Sequence, residues 1–267
     1  MKKGIAVAVM AALFARCEKG GPTVYGPFFG DVDFQAGRVF IYAWSSTMVD
    51  SWGNILRSEA DTVTVVVTGT DVTLDSLNGL ISIDHWSNGY PRVGTAWYRI
   101  SGGDFVEVAY RNPGGIIAQP ILRTTPVRLS VLRPRFSLTT PGVVQMIANE
   151  IINDSVQYRR DPRVVYRSPL APGASWVSFT DPFQQTREVK NDTTIWILNE
   201  PYPCVSILTR IPDFSPSLDW YDFVNQKGLI RRTITFPGLL MTDPDNPEVP
   251  TGTATLYEFL EPISIEN

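Results

Sequence analysis

The chain has 267 residues, 43% of them hydrophobic, and 23 Lys and Arg against 27 Asp and Glu give a formal charge of −4. Mild acidity disfavours nucleic acid, whose phosphates need grouped bases, and the densest basic group, Arg159, Arg160 and Arg163, is too small to reverse that. Charged residues stand at 19%, under the usual figure of about 25%, while 21 Pro, 20 Gly and 11% aromatics favour strands and turns over helices.

The first element in chain order is the stretch 1–16. Lys2 and Lys3 precede Gly4 to Ala15, an uncharged run, followed by Arg16, Cys17 and the polar Glu18-Lys19-Gly20-Gly21. A cationic start with so short an apolar segment predicts an export signal, because a spanning helix needs roughly 20 apolar residues. The segment resembles bacterial lipoprotein signal peptides, although Arg16 stands where those signals carry a small residue. The resemblance implies cleavage before Cys17, acylation of Cys17 and a cell-envelope location. Cleavage by the ordinary signal peptidase, giving a secreted protein, and a retained helix are the alternatives. In such lipoproteins an Asp after the lipidated Cys retains the protein in the inner membrane. Glu18 here therefore implies the bacterial outer membrane, on its periplasmic or surface face. Residues 17–33, rich in Gly and Pro, are expected to link this anchor to the body.

Beyond the linker, strand signals dominate. Val63, Val65 and Val67 alternate with Thr64, Val66 and Thr68. Ala96 to Ile100 and Phe105 to Tyr110 flank Ser101-Gly102-Gly103-Asp104, a hairpin turn whose glycines are free to take positive φ. Thr194 to Leu198, Cys204 to Arg210, Leu229 to Phe236 and Thr253 to Leu260 read the same way.

These segments fall into two similar series. Phe34-Gln-Ala-Gly37-Arg-Val-Phe40 lines up with Leu170-Ala-Pro-Gly173-Ala-Ser-Trp176, and Val67 to Asp71 with Val189 to Thr193. Leu80 to Ile83 answers Cys204 to Ile207, and Trp97-Tyr98 answers Trp220-Tyr221. Long Pro/Gly loops, Asn112 to Pro126 and Pro237 to Gly252, then precede last strands at Val127 to Leu132 and Thr253 to Leu260. The expectation is an all-β chain of two tandem antiparallel curved sheets or half-barrels, over 34–137 and 167–267. A connector at 138–166 separates them. Thr140-Pro141 reads as an N-cap with Pro at the first helical position, and Val143, Ile147 and Ile151 share one helical stripe. A short helix from Pro141 to about Asn153 is expected there, with a strand as the alternative.

The second series resembles a domain of bacterial envelope lipoproteins of unassigned role. The residues that carry the likeness are Pro169-Leu170-Ala-Pro-Gly173-Ala-Ser-Trp176, Tyr202-Pro203-Cys204, and Trp220-Tyr221 through Gly228-Leu229-Ile230-Arg231-Arg232. It covers about Arg167 to Leu260; the first series joins only through the repeat. Such domains are similar to the unclosed antiparallel barrels of lipoprotein carriers of the LolA, LolB and LppX type. Those carriers hold acyl chains in the concave face, so the resemblance implies an open half-barrel and a lipid-like or apolar ligand.

The candidate site residues are Trp97, Tyr98, Trp220, Tyr221 and Phe223, as rings lining a concavity or, alternatively, as core. His85, the one histidine, is expected at a loop or strand end on the surface, and without a Gly-x-Ser-x-Gly elbow it makes no hydrolase triad. Cys204 reads as a buried small hydrophobe. Asp31 and Asp33, and Asp243, Asp245 and Glu248, read as solvated turn acids rather than a calcium loop. No catalytic residue, metal or cofactor is assigned, and an enzyme is not expected. The expected partners are the membrane, through the anchor, with a lipid or apolar ligand and an envelope protein as further candidates. The expected role is non-catalytic ligand binding; the alternative is a structural or interaction protein of the envelope or of an extracellular assembly.

Overall fold

Alternation of β-branched and aromatic residues with polar ones becomes strand after strand. The computed structural model describes residues 34–88, 90–112, 133–134, 155–180, 184–212, 217–226, 228–242 and 250–266. The expected signal peptide, Cys17, the linker, the helix from Pro141, the strand at Val127 to Leu132 and both acid groups lie outside those residues. The strands are β1 (Val39–Asp50), β2 (Ile55–Leu74), β3 (Leu77–Ser87), β4 (Tyr90–Ser101), β5 (Asp104–Arg111), β6 (Arg133–Pro134) and β7 (Gln157–Tyr166). They continue with β8 (Ser175–Phe179), β9 (Gln185–Ile197), β10 (Glu200–Ile211), β11 (Leu218–Asn225), β12 (Gly228–Thr242) and β13 (Pro250–Glu266).

All belong to one antiparallel sheet, in the order β7-β5-β4-β3-β2-β1-β13-β12-β11-β10-β9-β8, with β6 beside β12. Two meanders of six strands are thus zipped together where β1 pairs with β13, from Val39↔Glu266 to Asp50↔Ala254. At the opposite seam β7 lies against β8, and side chains make the bonds. Trp176 Nε1 and Ser178 Oγ donate to the Val164 carbonyl at 3.0 and 2.7 Å. Arg187 Nη1 donates to the Val165 carbonyl at 2.8 Å, and Thr180 Oγ1 to Asp161 Oδ2 at 2.6 Å. The wall is therefore a nearly closed barrel. Two separate curved sheets and open half-barrels are not what forms, because β1 pairs along both of its edges, with β2 and β13.

Most of the matched segments take equivalent places in the two meanders. Gly37 N donates to the Val67 carbonyl at 2.7 Å and Gly173 N to the Val189 carbonyl at 2.8 Å. Val67 N returns to the Arg38 carbonyl at 3.0 Å and Val189 N to the Ala174 carbonyl at 2.8 Å. Both glycines have positive φ, 94° and 87°, the left-handed backbone that glycine adopts without a Cβ clash. Next along, Val67 faces Ile83 and Val189 faces Ile207. The Trp97-Tyr98 match fails at the following step. Ile83 faces Ala96 but Ile207 faces Asp222, so Trp97 corresponds to Phe223 and not to Trp220.

The connector at 138–166 ends in β7, which pairs with β5. The loop from Pro237 to Gly252 is shorter than its composition implies, because Pro237-Gly238 forms an irregularity inside β12, after which Leu239 resumes pairing with Ala254.

The barrel interior is packed with side chains. One cluster takes Phe40, Tyr42 and Trp44 from β1, Val63, Val65 and Val67 from β2, Tyr98, Phe105 and Tyr166, and Trp176, Val189, Ile207 and Leu260 from the second meander. A second, around Met48, Trp220, Ile234 and Phe236, fills the end where β1 finishes. Outside the wall, each long hairpin folds over its own small cluster: Leu80, Trp97 and Val108 under β2–β3, and Ile195, Ile197, Cys204 and Ile230 under β9–β10.

Candidate functional site

The strand period decides where the five candidate rings go. Neighbours on a strand point to opposite faces, so Trp97 and Tyr98 part company. Tyr98 is buried in the interior cluster, stacked on Phe105 at 4.6 Å between centroids, and Trp97 joins the outer cluster under β2–β3. Trp220 is buried at the other end of the interior. Tyr221 is exposed and stacks at 6.5 Å on Phe223, which packs against the outer cluster under β9–β10. The structure does not bring these rings together; they serve four separate places.

What converges inside the wall is charge. Asp222, fully buried on β11, accepts from Arg232 Nε at 2.5 Å and Arg232 Nη2 at 3.0 Å, and Arg187 Nη1 lies 3.6 Å away. Glu107, fully buried on β5, pairs with Arg159 Nε and lies 3.8 Å from Arg163 Nη1. Arg159 and Arg163 hold odd positions on β7 and sit over aromatic rings, Arg159 at 4.5 Å from Tyr110 and Arg163 at 4.5 Å from Phe179. Arg160, between them, is exposed. The densest basic group of the sequence is thus split by the strand period, with two of its members inside.

Three tyrosines line the same layer. Burial raises the Tyr98 phenol well above its usual range, with Glu107 adding to the effect. Tyr166 is raised by burial and then by Asp222, and Tyr42 by burial and then by Tyr166. The Tyr42 hydroxyl donates to the Leu229 carbonyl at 3.0 Å. Carboxylates held by guanidiniums, and phenols kept protonated by burial, form a network that ties β5, β7, β9, β11 and β12 together inside the wall.

His85 is not at a strand end on the surface. It is buried on the inward row of β3, opposite Val65 and Gly94. Cys204 is buried as expected, and burial pushes its thiol up to about 12. Among the described residues no group of three or more His, Cys, Asp and Glu is placed to hold a metal ion.

The most exposed apolar residues stand at two hairpin tips. Trp52 is 74% exposed between β1 and β2, with Ile55 and Leu56 beside it; Trp196 is 65% and Leu198 81% exposed between β9 and β10. Residues 194–198 read as plain strand in the sequence, so the tip was hidden there. Its one local signal is Asn199, a residue that tolerates positive φ.

No known protein family's sequence profile matches the chain. No curated protein matches it by sequence. Among solved structures it is similar to a putative lipoprotein from Parabacteroides distasonis, at 12% identity and a TM-score of 0.35, covering 87% of this chain and 96% of that one. A putative exported protein with a YmcC-like fold from Bacteroides fragilis matches at 10% identity and a TM-score of 0.35, covering 87% and 97%. A putative outer membrane lipoprotein-sorting protein domain from Vibrio parahaemolyticus matches at 7% identity and a TM-score of 0.19, covering 88% and 86%.

Proposed function

We propose that this chain is an exported envelope protein, tethered to the outer membrane through acylated Cys17, and that its barrel is a non-catalytic interaction and structural body. The run from Lys2 to Cys17 supports the tether. The observation that carries the role is the dense interior that the described residues form: Tyr98 and Trp220, read as ligand-lining or core rings, are core, and around them stand Phe105, Tyr166 and the Asp222 and Glu107 ion clusters. A lipid carrier needs an apolar cavity, whereas a packed barrel presents its outer face and hairpin tips. The matched glycine turns and Val–Ile pairs support an origin by duplication of one six-strand meander.

Native mass spectrometry of the full chain, purified from a membrane fraction, tests both parts. The expected species carries acyl chains on Cys17 and no further mass. An unacylated species refutes the tether; a stoichiometric co-purified lipid refutes the filled body in favour of a carrier.

A further inference from the structure

The hairpin between β9 and β10 has a twin in the first meander. Leu74 faces Leu77 around the tip Asp75-Ser76, and Ile197 faces Glu200 around the tip Leu198-Asn199. Both tips need left-handed backbone: φ is 51° at Asp75, 49° at Leu198 and 66° at Asn199. Asp accepts that conformation and suits water; leucine suits neither condition. In the strand leading to each tip, the exposed residue is Thr73 in the first meander and Trp196 in the second. A polar tip and an apolar tip are thus built on the same hairpin, and the apolar one keeps a strained leucine that is 81% exposed. An outlier of this kind persists where something outside the fold uses it.

Its place in the barrel says what that is. The start of β1, the end of β13 and the hairpin tips at 75–76, 102–103 and 198–199 all lie at one end, as the registers require. Phe34 enters there, stacked on Phe105 at 5.1 Å. The stretch from Cys17 to Phe34 therefore leaves the body from the end that carries Trp196 and Leu198. Its 16 intervening residues span at most roughly 55 Å. We propose that the β9–β10 tip inserts Trp196 and Leu198 into the interface of the lipid surface to which the chain is tethered. Trp settles at the headgroup level and leucine just below it, so the tip adds a second contact to the acyl anchor and fixes which end of the barrel faces the membrane. The inference takes its orientation from the tether reading above.

The test uses the full chain with Glu200→Cys, at the exposed start of β10, carrying an environment-sensitive fluorophore; native Cys204 is buried and does not compete. The protein is reconstituted in phosphatidylethanolamine–phosphatidylglycerol vesicles with and without brominated acyl chains. Expected are a blue shift and bromine quenching at position 200, neither of them for the same label at Trp52→Cys, on the opposite end. Adding Trp196→Ser and Leu198→Asn abolishes the quenching, and Leu198→Asn suits the turn, so circular dichroism shows an intact fold. No quenching at 200, quenching at 52, or quenching that survives the double change overturns the proposal. If mass spectrometry shows Cys17 unacylated, the tether reading fails separately. The chain with Cys17→Ser, labelled at position 200 alone, is then mixed with preformed vesicles, where quenching at 200 upholds the tip and its absence refutes it.

Discussion

Asp222 shows what one residue holds in this wall. Asp222→Asn takes from buried Arg232 and Arg187 the carboxylate that lies nearest both, and breaking a buried pair from one side costs about 3–5 kcal/mol. Glu261→Gln, which removes the half-exposed partner of Arg231 at 2.6 Å, is expected to cost under about 1 kcal/mol. Urea unfolding of both variants checks the contrast; equal losses would refute the network. Buried phenols in this layer and a buried thiol outside the wall set an alkaline limit. Cys204 is pushed up to about 12, and the phenols of Tyr42, Tyr98 and Tyr166 rise above their ordinary 10.0, burial being the chief cause each time. The unfolded chain loses these protons first, from about pH 8.5 for the thiol. Folded values above unfolded ones mean stability that is whole below that pH and declines as pH rises through the window to 12 and beyond. The melting temperature should hold to about pH 8.5 and then fall, less steeply in Tyr98→Phe. The burial of Cys204 was legible beforehand, but that of the charges was not: Arg159, Arg163 and Asp222 carry charge, charge predicts surface, and only the period-2 pattern of β7 hinted otherwise.

At the scale of elements, alternation was the readable signal. The valines of β2, the Gly102-Gly103 hairpin and the inward row Ala254, Leu256, Glu258 of β13 sit as their spacing implies. The glycine-to-aromatic steps at Gly37–Phe40 and Gly173–Trp176 marked the same turn twice, because only glycine enters it without strain. With open space around an added Cβ at both positions, Gly37→Ala and Gly173→Ala should each lose about 1 kcal/mol from the left-handed backbone alone. Thermal melts showing closely similar losses would bear out the equivalence, and a cost at one site only would break it. Less legible were Pro237-Gly238, which composition reads as a loop and the ladder absorbs as an irregularity, and the tip Leu198-Asn199, which lacks the glycine that usually announces a two-residue turn.

The whole molecule depends on how its two meanders meet, and no local pattern encodes that. Strand order between distant segments is a tertiary choice: β1 could not be read as the neighbour of β13, some 200 residues later, from either segment alone. The two seams are chemically unlike. Between β1 and β13 the register runs along the whole length of β1; between β7 and β8 the junction rests on the side chains of Trp176, Ser178, Thr180 and Arg187. Side-chain bonds to carbonyls are worth about 1 kcal/mol each and act independently, whereas a ladder opens cooperatively. The barrel should therefore breathe at β7–β8 while β1–β13 stays shut. Native-state hydrogen exchange is expected to show amides of β7 and β8 opening at a free energy well below that of β1, β2 and β13. Trp176→Phe, which keeps the ring in the core but deletes the bond to Val164, should widen the gap by lowering protection in β7 and β8 alone. If protection falls evenly across the wall, the side-chain seam is as cooperative as the ladder, and the barrel unfolds as one closed ring.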